Sequence, residues 1–387
     1  MPNTRYALVL SGGGFKGAFQ VGALEHLMQQ APTDHPLHFD LIAGISAGSI
    51  NGALLAANRF EELKNYWQEL RDHPEIIYTS EFISADGKFN VSIDGLKKLL
   101  LDGFTAPKVL PLIFKFIFQR KKLFAELLRE VGATLGRNYA MISSIADAQP
   151  LIDRLTREVT LQRIRENDTH FISGCCSLLD GEYYGLNNTQ FEEDDAFIQA
   201  IFASADMPII WTPVKELSYR NDNETTTIRS LVDGGLRNSS PIGDVLATME
   251  QIDPHAEWKI IIINNNSGKF VNDDKENESP TLGYIARRSL MEITLAEIFT
   301  NDVATFETIN QLVEVAGNGE VTLPRAGGDR VYRSYPYLLI QPQGEELGEL
   351  LDARAATIDQ RIALGKQRAQ EALTSSTFDW FGTAVTV

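Results

Sequence analysis

Apolar and polar positions alternate along this chain with two different periods. Residues 6–10, YALVL, form a short apolar run that stops at the glycine cluster SGGGFKG, as a buried strand entering a turn does. From Ala18 to Gln30 the residues Val21, Leu24, Leu27 and Met28 recur at helical spacing, and Pro32 and Pro36 then mark a loop. FDLIAGI, residues 39–45, is a second strand-like run, and SAGSINGALLAA after it predicts a helix rich in small residues. Strand, glycine turn, helix, strand, turn, helix is the alternation of a parallel sheet covered by helices. Further strands are expected over 170–178, over 227–235 where the run enters a glycine turn, and over 258–264. Helical patterns run over 284–313 and 348–373.

Residues 60–150 are less regular. Within them the segment 108–124, KVLPLIFKFIFQRKKLF, sets Lys115, Gln119 and Lys122, and then Glu126, on one stripe among Leu, Ile, Val and Phe. Lys108, Lys115, Arg120, Lys121 and Lys122 make it locally basic. The pattern fits a mostly buried helix and equally a cap or lipid-facing surface. Residues 264–281 are polar and read as a mobile surface loop.

Composition narrows the class. Of 387 residues, 43% are hydrophobic and 22% charged, the balance of a soluble globular protein with ample core. The elements read as one α/β domain over 1–387, with a mainly helical insertion or cap at about 80–140. A net charge of -17 argues against nucleic acid as a partner and against adhesion of the whole surface to anionic lipid. The two cysteines, Cys175 and Cys176, are adjacent, which disfavours a disulfide and offers no metal-ligand spacing. MPNTRYALVL lacks the apolar core of a secretory leader, and no run reaches the roughly 18 apolar residues of a membrane span. The expected location is the cytoplasm or the membrane periphery.

Two glycine motifs carry the chemistry. Gly12, Gly14 and Gly17 fit G-x-G-x-x-G, a dinucleotide fingerprint, but the same glycines suit a loop for a catalytic oxyanion. A dinucleotide site needs an acidic residue at the far end of the second strand. Asp40 stands at that strand's start, and Ser46 at its end. No G-K-[ST] follows Lys16, so a P-loop fails as well. Gly44-Ile45-Ser46-Ala47-Gly48 matches G-x-S-x-G between a strand and a helix, where a nucleophile elbow must sit; a plain turn using Ser46 as a helix cap is the simpler alternative. Backbone amides of the Gly12–Gly17 loop would then converge beside Ser46, and Lys16 would either add positive charge or face solvent. Of the six histidines only His255 comes late enough for the α/β-hydrolase order, and no motif surrounds it. Asp233-Gly234-Gly235 ends an apolar strand and suits either a base for Ser46 or a hairpin turn.

Taken together these segments resemble the patatin-like phospholipase family. GGGFKG (12–17) looks like its oxyanion-hole motif, GISAG (44–48) its nucleophile elbow and DGG (233–235) its catalytic-aspartate motif. ASADMP (203–208) is similar to its A-S-x-x-x-P segment, and Pro241 stands where the family often has proline. The resemblance covers 5–60 and 145–245, and more weakly reaches about 375 through PYLLIQP, Gly365 and Ala369. It implies a three-layer α/β/α sandwich with a mostly parallel sheet and a lipid acyl hydrolase of phospholipase A or lysophospholipase type. It also implies a Ser46–Asp233 dyad without histidine, with Gly12, Gly13, Gly14, Phe15, Lys16 and Gly17 forming the oxyanion hole. Gly44 and Gly48 would flank the nucleophile and Gly234 and Gly235 the aspartate. No cofactor or metal is expected. The expected partner is a phospholipid or other acyl-ester lipid, with peripheral membrane contact through 108–124. The alternative is a lipid-binding module of the same fold, or a carboxylesterase active only with a protein partner or lipid surface.

Overall fold

The computed structural model describes residues 4–73, 146–208, 210–222, 224–269, 293–317, 319–324 and 330–381. The expected insertion at 80–140, its segment 108–124 and most of the 264–281 loop lie outside the described residues.

The centre is an eight-stranded sheet. Strands β1 (Thr4–Leu10), β2 (Leu41–Gly44), β3 (His170–Ser177), β7 (Glu257–Ile263) and β10 (Tyr337–Ile340) are parallel, in the order β10-β7-β1-β2-β3. Strands β4 (Tyr183–Asn187), β5 (Val214–Asn221) and β6 (Glu224–Asp233) add antiparallel pairings beside β3. A separate hairpin pairs β8 (Glu320–Leu323) with β9 (Arg330–Arg333).

Apolar residues on both faces explain the unbroken apolar runs. Leu8, Leu10, Ile42, Ile261 and Ile263 face one core, while Ala7, Val9, Leu41, Ala43, Ile260 and Ile262 face the other. The first core is covered by helices α1 (Ala18–Gln30), α2 (Ala47–Ala56), α3 (Phe60–Asp72), α4 (Gln149–Glu158), α5 (Leu161–Glu166) and α6 (Asp194–Ala205), together with α9 (Ala355–Ser375). The second is covered by α7 (Ile242–Ile252) and α8 (Thr294–Ala316). This is the parallel sheet covered by helices that the alternation predicts, in the three-layer α/β/α form that the family resemblance implies. No described helix is long and apolar enough to cross a membrane.

Two stretches differ from expectation. The helix expected over 348–373 begins only at Ala355, because Gly348 takes a left-handed φ of 67° and residues 348–354 turn beneath the glycine-rich loop. Asn264 and Asn265, expected to open a surface loop, are buried at the end of β7. The main-chain amide of Asn264 donates to Ile340 O at 2.8 Å, which ties it to β10.

Candidate active site

Three parallel strands stop at one level, since Leu10 pairs with both Gly44 and Ile263. The glycine loop, Ser46 and Asn265 therefore share one sheet edge. Asp233 reaches that edge by a different route. β4 faces residues 172–176 of β3, so β2 (against 170–173) and β6 (against 175–177) share the strand's other side. They run toward each other. β2 ends at Gly44 beside Ser173, and β6 ends at Asp233 beside Cys175.

Ser46 has φ 55° and ψ −127° at the N-terminus of α2. A non-glycine residue held there stores about 1–3 kcal/mol of backbone strain, which surrounding contacts must impose. Gly44 and Gly48 make that possible. A Cβ on Gly44 would lie 2.2 Å from Gly48 O, and one on Gly48 would lie 2.3 Å from Leu10 O. A Cβ on Gly12 would meet the Ser46 Cβ at 3.2 Å, so the glycine loop packs directly against the serine.

The end of α6 brackets both motifs. Ser46 N donates to Ser204 O and Ser204 Oγ, each at 3.1 Å, and Asp233 N donates to Asp206 O at 2.8 Å. The ASADMP segment thus fixes the two main-chain positions from one short turn. Asp233 is buried, and its carboxylate accepts from Gly235 N at 2.7 Å. Burial pushes its pKa up to about 6, while the Ser46 hydroxyl and the Gly235 amide pull it partly back. Asp206 is wholly buried, and its carboxyl group has no ion-pair partner among the described residues, the Val214 backbone amide being the one group that eases its charge. Burial pushes its pKa up to about 8, so it stays largely protonated at neutral pH.

Amides of the glycine loop divide into used and unused donors. Gly12 N donates to Ser239 O at 3.2 Å, Phe15 N to Leu350 O at 3.1 Å and Lys16 N to Gly13 O at 2.9 Å. Those three serve the fold, while the expected oxyanion donors are the amides near Gly13 and Gly14. Gly13 N and Gly14 N have no acceptor among the described residues. Gly17 caps α1, and a Cβ there would press on Ala47 Cβ at 2.9 Å. Asn51 on α2 donates to Gly17 O at 3.1 Å and accepts from Trp67 Nε1 at 2.9 Å, which ties loop, elbow helix and α3 together.

Beside Ser46 lies a pocket with an empty volume of about 600 Å³, part of it open to solvent. Gly14, Phe15, Ile50, Tyr66, Trp67, Leu70, Leu151, Met207, Ile210, Trp211 and Leu351 line it, so its walls are almost entirely apolar. Beyond Gly14, Phe15 and Met207, which lie in the quoted motifs, sequence reasoning missed these wall residues, although Leu63, Tyr66, Trp67 and Leu70 recur at helical spacing on α3.

The rival assignments are displaced to the far edge. Asp40 pairs with Arg5 at 3.1 Å and accepts from Tyr6 N at 2.9 Å, at the edge opposite Ser46. His170 opens β3, and His255 precedes β7, at that same far edge. Cys175 and Cys176 are buried free thiols, with the Cys175 pKa pushed up to about 12 by burial.

The mostly parallel α/β sandwich thus sets a strained serine, at a strand-to-helix turn, beside a buried aspartate. Residues 8–246, more than half of the chain, match the family model for patatin-like phospholipase, and the chain belongs to that family. Membership supports lipid acyl hydrolase activity. Among solved structures the chain is similar to VipD from Legionella pneumophila, at 14% identity and TM-score 0.36, over 97% of this chain and 67% of that one. It is also similar to human GIVD cytosolic phospholipase A2, at 9% identity and TM-score 0.33, over 96% of this chain and 60% of that one. The type III effector ExoU is similar at 13% identity and TM-score 0.32, over 96% of this chain and 53% of that one. No curated protein matches the chain.

Proposed function

We propose that the chain is a carboxylic ester hydrolase of phospholipase A or lysophospholipase type, working through a Ser46–Asp233 dyad. The observation that carries the reading is the strained Ser46 beside both a buried carboxylate and two unused loop amides. Ser46 Oγ attacks the ester carbonyl as its proton passes to Asp233. The carbonyl oxygen takes up negative charge against the amides of Gly13 and Gly14, and the N-terminus of α2 adds to the favourable field. Collapse breaks the bond to the alcohol, which leaves with the proton from Asp233. Water then attacks the acyl-enzyme with the same base, and the fatty acid departs.

Two features suit lipid esters. The walls of the pocket beside Ser46 are apolar, as an acyl chain requires, and burial makes Asp233 a stronger base than a free aspartate of pKa about 3.9. The residues 1–387 are read as one catalytic domain, and a phospholipid surface as its substrate phase.

Fatty-acid release from a panel of phospholipids and neutral lipids tests the reading. Wild type releases fatty acid and the folded Ser46→Ala chain does not. Equal release by both would end the proposal.

A further inference from the structure

The C-terminal helix α9 carries Arg361, which is 1% exposed. Its guanidinium makes no ion pair with a carboxylate among the described residues. Nε donates to Leu347 O at 2.9 Å, one terminal nitrogen to Asp352 O at 2.7 Å and the other to Glu349 O at 2.5 Å. The neighbouring carboxylate of Asp352 is instead occupied by Arg354 and Thr357. Burial pulls the Arg361 pKa down to about 10, so the group stays charged at neutral pH. A buried charge spent wholly on three carbonyls of one turn is costly unless that turn's shape matters. A planar fork can hold three carbonyls at once, whereas an ammonium cannot match that geometry.

The turn that Arg361 gathers is the wall of the glycine loop. Leu350 O accepts the amide of Phe15 at 3.1 Å. A Cβ on Gly14, whose φ is 51°, would lie 3.0 Å from the same carbonyl. Leu351, the next residue, lines the pocket with Ser46. Helix α9 also touches α1, the helix that the glycine loop opens. A Cβ on Gly22 would lie 1.9 Å from Ile362 O, and one on Gly365 would lie 2.0 Å from Phe19 O. Main chain therefore meets main chain on both sides of Arg361. Arg361 and the 347–352 turn lie beyond residue 246, where the family match ends.

We infer that Arg361 is a positioning residue for ester hydrolysis, holding the 347–352 turn so that it fixes the main chain of Gly14 and Phe15 and aims the unused loop amides at the oxyanion. The inference rests on the oxyanion reading of that loop. Displacing a catalytic donor by about 1 Å costs on the order of 100-fold in rate.

The test uses the full chain with the substitution Arg361→Lys. Active sites are counted by fluorophosphonate labelling carried to completion, and turnover of a short-chain p-nitrophenyl ester is divided by that count. The expected result is a near-complete set of sites, each with kcat lowered about 10- to 100-fold and KM changed by less than about twofold. A purely structural role would lower the number of sites and leave kcat per site at the wild-type value, and that result overturns the inference. Arg361→Gln serves the same comparison if the Lys chain does not fold. Loss of folding in both assigns Arg361 to stability and also overturns it. A wild-type chain that neither labels nor hydrolyses overturns the functional reading itself. An active wild type beside an undiminished variant overturns the positioning role alone.

Discussion

The two sides of the site are built in different ways. On the serine side, the reacting groups come from short contiguous motifs at strand ends, and a single turn at the end of α6 holds their main chain. On the opposite side, the glycine loop leans on a wall gathered from the ends of β7 and the 347–352 turn, hundreds of residues away in sequence. On the proposed mechanism, reactivity is encoded locally, whereas the aim of the oxyanion donors is a product of tertiary structure. Substitutions on the serine side are expected to remove chemistry outright. Those on the wall are expected to degrade it by degrees.

The largest effect is expected at Asp233. Asp233→Asn should lower kcat by about 10³- to 10⁴-fold, since the proton of Ser46 loses its acceptor. The same change should raise stability at neutral pH. The folded-state pKa of about 6 lies above the unfolded value near 3.8, so the unfolded chain ionises first and native stability falls as pH rises from about 4 to 6. Asn removes that loss, and thermal unfolding at pH 5 and pH 8 checks it. A variant that is inactive and no more stable at pH 8 would contradict the burial argument.

Gly14→Ala comes next. Its left-handed φ and the 3.0 Å approach to Leu350 O leave no room for a methyl group without moving the loop. A fall of about 100-fold in kcat per labelled site, with KM nearly unchanged, is expected. Asn265→Ala should act more mildly. The Asn265 side-chain amide donates to Ser11 O at 3.2 Å and Gly12 O at 3.1 Å, and its loss should lower kcat about 10-fold and stability by about 1–3 kcal/mol. If either wall variant lost only stability, the wall would be scaffold rather than aim.

The smallest effect on rate is expected at Asp206, whose contribution is mainly to stability. Its folded-state pKa of about 8 exceeds the unfolded value, so wild type loses stability as pH climbs from about 4 to 8. Asp206→Asn should gain on the order of a few kcal/mol at pH 8 and close to none at pH 4, read by denaturant unfolding.

Sequence legibility follows the same division. The alternation of strands and helices announced the sheet because β1, β2, β3 and β7 are apolar on both faces, and G-x-S-x-G announced the elbow because sterics permit little else there. Asp40 could be set aside for its position at a strand start, and it pairs with Arg5 at that far edge. Asp206 stands within ASADMP with no role legible there, since nothing in a sequence shows that its carboxyl group is wholly buried. The wall left no such trace. Arg361 sits in a helical pattern where an arginine ordinarily reads as solvent-facing, and Asn265 sits in a polar run that reads as a loop. Only the fold buries them.

The most direct measurement is the pH dependence of fluorophosphonate labelling, with the adduct mapped by mass spectrometry. The account predicts a single adduct on Ser46, a rate that rises through a midpoint near pH 6 as Asp233 ionises, and near-abolished labelling in Asp233→Asn. An adduct on another residue, or a Ser46 rate indifferent to both pH and Asp233, would contradict it.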